Sequence, residues 1–129
     1  MKARLFLLLT IVIIVLAVFP WGDFQGHTHW EKVGWIPFVS KPLRIRDIIA
    51  NVLLFMPFGA AIALNVRPSR AVVLASLSGA TISFIGETTQ LYSHTRFPSA
   101  TDFVTNTVGA ALAARLVSQF FTPRNAPKP

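Results

Sequence analysis

The chain has 129 residues, 53% hydrophobic and only 13% charged, where an ordinary soluble domain carries about 25% charged residues; with a mean hydropathy of +0.56, these values exclude a conventional soluble domain and describe a membrane protein. The formal net charge of +7 comes largely from Lys and Arg beside apolar segments, where anionic headgroups attract each by roughly 1 kcal/mol, so nucleic acid is not an expected partner. There is no Cys, which rules out disulfides, thiolate nucleophiles and Cys metal ligands.

Four apolar segments follow one another, which at about 20 residues per span fill the chain. The expected fold is therefore all-α: a compact bundle of four transmembrane helices forming a single domain over 1–129, with helices at about 5–21, 47–65, 70–92 and 100–121. The first segment, Leu5 to Phe19, follows Lys2 and Arg4 and resembles a signal peptide. It runs into Phe19-Pro20-Trp21 without a small-x-small cleavage site, so it reads as a retained helix with Trp21 at an interface.

The long loop from Gly22 to Arg46 mixes Trp30, Trp35 and Ile36-Pro37-Phe38 with Lys32, Lys41, Arg44 and Arg46, a composition suited to the headgroup layer. Within it His27 and His29 stand two residues apart, near enough to share a metal ion, but no third ligand is evident and they read as solvated loop histidines. No metal site and no cofactor is expected.

The second segment, Ile48 to Leu64, contains Pro57, which removes a backbone hydrogen bond and should kink the helix. The third, Ala71 to Leu91, carries Gly79, Ser83 and Gly86, and the fourth, Ala100 to Phe121, carries Gly109 and Ala113. Small residues let helix backbones approach, so helices three and four should pack together through these stripes. The tail Pro123 to Pro129 is expected to be disordered.

With the N-terminus inside, Lys2, Arg4, Arg67, Arg70, Arg124 and Lys128 face inward, joined by Arg115 if it snorkels to the inner interface, against Lys32, Lys41, Arg44, Arg46 and Arg96 outside. This small excess, with Arg67 and Arg70 crowded into a short turn, puts both termini in the cytoplasm. Asp47 and Asn51, Glu87 and Gln90, Arg96, and Asp102 and Asn106 then all fall at one membrane surface, an arrangement that inversion of the whole protein would preserve. Each pair is spaced i, i+3 or i, i+4 and so projects from one helix face. A lipid-facing carboxylate at Glu87 would cost on the order of 1 to 3 kcal/mol, which turns these faces inward around a polar pocket.

A purely structural reading also exists: Asp47 and Asp102 as helix caps, Asn51 and Asn106 as interhelical hydrogen bonds, Arg96 as a counter-ion. Polar pairs from three helices meeting at one depth favour a site. A cation held by Asp47, Glu87 and Asp102 is a further alternative, since hard cations accept carboxylates.

Trp35-Ile36-Pro37-Phe38, the run Asp47-Ile48-Ile49-Ala50-Asn51 leading to Phe55-Met56-Pro57-Phe58-Gly59, Glu87-Thr88-Thr89-Gln90, and Arg96 followed by Asp102 and Asn106-Thr107-Val108-Gly109 together resemble the VanZ-like family of small bacterial membrane proteins. The resemblance runs from about Trp35 to Leu116. Family members often carry two acidic residues between the Arg and the Asn, whereas Ser99-Ala100-Thr101 adds none to Asp102 here. The resemblance implies a bacterial cytoplasmic-membrane protein of a family associated with resistance to the glycopeptide teicoplanin, which acts on cell-wall precursors outside that membrane.

Two functions are compatible with these residues. In the first, the pocket binds a lipid-linked envelope molecule or a membrane partner, with Arg96 on an anionic headgroup and Asn51, Gln90 and Asn106 donating neutral hydrogen bonds. In the second, a metal-independent hydrolase or transferase uses Glu87 as general acid or base. Binding is preferred, because no Ser-His-Asp arrangement or Gly-x-Ser-x-Gly elbow is present.

Overall fold

The computed structural model describes residues 1–40, 42 and 44–121; Lys41, Arg124, Lys128 and the tail from Pro123, all used in the expectations above, lie outside them. Four helices follow in chain order: α1 Lys2–Val18, α2 Ile45–Asn65, α3 Pro68–Gln90 and α4 Ala100–Phe121. The bundle is all-helical as expected, and the boundaries of α2 to α4 fall within two residues of those expected. α1 has the expected length but ends three residues earlier than expected, because Phe19 turns extended ahead of Pro20, whose ring disfavours helix at the preceding residue. α2 continues without interruption through Pro57.

Two of the four helices, α2 and α3, are long and apolar enough to cross a membrane. α1, with 17 residues, rises about 25 Å against a hydrocarbon thickness of about 30 Å. Its surface is nonetheless apolar outward: Leu5, Leu8, Leu9, Val12, Ile13 and Leu16 are each more than half exposed, far more than a soluble helix leaves in water. Hydroxyls along the helices are satisfied within their own helix, as Ser76, Thr81, Thr88 and Thr107 donate to the carbonyl four residues back. That is how polar side chains avoid needing water.

Close packing uses the small-residue stripes, with two changes of partner. A Cβ on Gly79 would stand 2.9 Å from the Ala110 Cβ, which places α3 against α4 as expected, but Gly109 faces the backbone of Val52 and Gly59 the backbone of Ala110. The tightest crossing is therefore between α2 and α4. Gly86, assigned by its sequence to the same stripe, instead meets the Val18 side chain of α1. Around these crossings Ile14, Val18, Phe55, Phe58 and Ala110 form the buried core.

The segment joining α1 to α2 does not hang free. Gln25 N donates to Tyr92 O at 2.7 Å, His29 N to Leu91 O at 2.9 Å, Gly34 N to Pro98 O at 2.9 Å, and Ala100 N to Gly34 O at 2.8 Å. These bonds strap the loop along the α3–α4 turn and roof one end of the bundle. Trp30 and Trp35 stack on the outside, ring centroids 6.1 Å apart and nearly parallel, with Ile36 and Val39 exposed beside them, an apolar rim suited to the headgroup layer.

Candidate functional site

All seven residues singled out by the sequence lie at the roofed end, but they divide into two groups with different tasks. The first group holds helices. α1 ends at Val18 with its last carbonyls unpaired along the helix; Gln90 Nε2 donates to Val18 O at 3.2 Å, and the Arg96 guanidinium donates to Ala17 O and Val18 O. A cation at a helix C-terminus is also favoured by the dipole. Asn106 Nδ2 donates to Ser83 Oγ at 3.0 Å, a buried clip between α4 and α3.

In the second group Asp47, Asp102 and Glu87 border two cavities. Asp47 and Asp102, at the N-terminal turns of α2 and α4, line a cavity of about 420 Å³ together with Arg44, Thr95, Ser99 and Thr101. Asp47 Oδ1 stands 3.5 Å from Arg46 Nε and its side chain is 48% exposed, so its charge stays hydrated. Asn51 is half-buried one turn further along α2. Next to the cavity runs a wider groove of about 650 Å³, walled by Trp30, Trp35, Phe84, Leu91 and Phe103 and bordered by Glu87. Ser99 belongs to both, and its backbone N–H donates to Glu87 Oε2 at 2.6 Å. Glu87 thus holds the partition between a polar and an apolar compartment.

Two further participants at this end carry no helical periodicity and are not among the residues singled out by the sequence. Asp23, in the loop, accepts at Oδ2 from Ser93 Oγ (2.5 Å), Thr95 Oγ1 (2.7 Å), Thr95 N (2.9 Å) and His94 N (3.0 Å). These bonds, the one from Ser93 foremost, hold its carboxyl well below the usual carboxylate range. His94, which sequence reasoning did not connect with His27 and His29, stands beside both. The signal available was topological: the three are the only histidines in the chain, and all lie in the two segments assigned to one membrane surface.

No curated protein and no solved structure matches the chain. The family model described as VanZ/LLP1 matches residues 5–121, covering all four helices and the roof that joins them, and the chain accordingly belongs to the VanZ/LLP1 family.

Proposed function

We propose that the roofed end binds an amphiphilic, lipid-linked molecule of the cell envelope, with its headgroup in the polar cavity and its chain in the adjoining groove. The observation that carries this reading is the shared wall at Ser99: a compartment lined by two carboxylates and Arg44 opens beside one lined by aromatic and aliphatic side chains. Apolar walls with a few converging polar groups are the general form of small-molecule sites. Asp47 and Asp102 would accept N–H or O–H donors of the headgroup and Arg44 would face an anionic part of it. Arg96, the cation that the sequence suggests for that task, has its guanidinium engaged by α1. The reading takes all four helices to span the bacterial cytoplasmic membrane, with both termini cytoplasmic and the pocket outward, where the family's association with glycopeptide resistance has chemical sense. Catalysis through Glu87 is the rival reading.

Native mass spectrometry of the protein in detergent, offered a polyprenyl-pyrophosphate-linked sugar and the polyprenol of equal length, tests this. Preferential retention of the linked sugar is expected, lost in Asp47→Asn/Asp102→Asn and only modestly reduced in Glu87→Gln. Equal retention of both lipids, or of neither, overturns the proposal. Turnover of the linked sugar that falls about 100-fold in Glu87→Gln establishes the rival.

A further inference from the structure

The three histidines of this chain meet at the roof. His27 and His29 come from the α1–α2 loop and His94 from the α3–α4 turn, with ring centroids 4.8, 5.3 and 4.7 Å apart in the pairs 27–29, 27–94 and 29–94. One nitrogen from each can be chosen so that all three lie within 4.8 Å of one another. His29 is buried, and its Nε2 has no hydrogen-bond partner. Its other nitrogen, Nδ1, stands 3.4 Å from Glu31 Oε1. A carboxylate at Nδ1 favours the tautomer with the proton there and leaves the Nε2 lone pair facing inward, the arrangement that orients imidazoles as metal ligands. Edge-to-face ring packing alone would leave that buried lone pair unsatisfied, a cost that the packing does not offset.

We infer that His27, His29 and His94 form a site for one Zn²⁺-type transition-metal ion. Three nitrogens at about 2.0–2.1 Å from a tetrahedral zinc lie about 3.4 Å apart, so side-chain rotation of the two exposed histidines suffices to close the cluster on an ion. The frame behind them is already fixed: His29 N is bonded to Leu91 O, and His94 N to the Asp23 carboxylate. Glu31 and Asp23 supply negative charge beside the dication, while Lys32 is turned over the Phe97 ring, 4.6 Å from its centroid. A fourth position stays open for water or another ligand, as in three-histidine zinc sites. Bound metal would staple the loop to the turn that carries Thr95, Phe97 and Ser99, residues of the cavity wall. The inference does not rest on what the cavity binds.

The test uses full-length protein in detergent, purified through a histidine-free tag, stripped with chelator and dialysed against Zn²⁺ or Co²⁺. One equivalent of metal is expected, with the visible absorption of low-coordinate Co²⁺. Glu31→Gln should weaken binding about 10- to 100-fold, and His94→Ala more than that. In the unsubstituted protein, Zn²⁺ but not Mg²⁺ should raise the thermal midpoint. That measurement stands even if a histidine variant fails to fold. Absence of Zn²⁺ stabilisation, binding that survives replacement of all three histidines, or binding abolished by Asp102→Asn overturns the inference, the last because it would move the ion to the carboxylates.

Discussion

Adding one methyl group at Gly109 measures how closely α2 and α4 are pressed together. A Cβ there would meet the carbonyl oxygen of Val52 and stand 2.9 Å from its Cα, where carbon atoms rest about 3.5–4.0 Å apart. The obstructing atoms are main chain, so no rotamer change relieves them and the helices must separate. Overpacking of this kind costs about 1–3 kcal/mol, which at roughly 4 °C per kcal/mol lowers the unfolding midpoint of Gly109→Ala by about 4–12 °C; Gly109→Leu should lose more. Thermal unfolding followed by circular dichroism in detergent reads this, with Gly26→Ala as reference because a Cβ there meets nothing within 4 Å. Gly86→Ala provides a second contrast, since its Cβ would strike only the Val18 Cγ1. Val18→Ala should therefore rescue Gly86→Ala as a positive coupling in a double-mutant cycle, whereas Val52→Ala should not rescue Gly109→Ala. Gly109→Ala as stable as Gly26→Ala, or equal rescue at both sites, would refute the packing argument.

The depressed carboxyl of Asp23 gives a signed pH dependence. A folded-state pKa below the unfolded value means that the stabilisation is complete above about pH 4 and is lost as pH falls from there toward the folded-state value. Asp23→Asn should thus unfold at a lower temperature than the parent at neutral pH, with the gap narrowing in acid; a gap that stays constant between neutral and strongly acid pH would contradict it. For topology, alkaline phosphatase joined after Trp30 or Ser99 should be active and after Arg67 silent, and the reverse pattern would invert the orientation assigned from Lys and Arg.

Helix positions were legible because apolar length is a local property, and the gathering of Asp47, Glu87, Gln90, Asp102 and Asn106 at one end followed from counting spans. Which helix each small residue touches was not, since Gly109 sits on a stripe that serves α2 as well as α3, and crossing partners depend on rotation about the helix axis. Gln90 and Arg96 were legible as polar groups at the right depth but not as partners of the α1 C-terminus, because that helix ends at Val18, ahead of Pro20 and three residues earlier than expected, and turns its carbonyls to them. The Asp23 and histidine contacts lie in segments without periodicity, where no pattern announces a partner about 70 residues away.

That strapped loop also sets an order of assembly. Asp23 and Thr95 are 72 positions apart, and at roughly 5–20 residues per second of synthesis the loop waits about 4 to 14 s for its partner strand of chain. During that interval α2 and α3 are being made in turn, and the segment that the loop must grip comes last. Both compartments at the roofed end need Ser99 and residues of α4, so neither exists until the last helix is in place. A chain stopped after α3 would hold three helices and an undocked loop, with neither compartment yet formed.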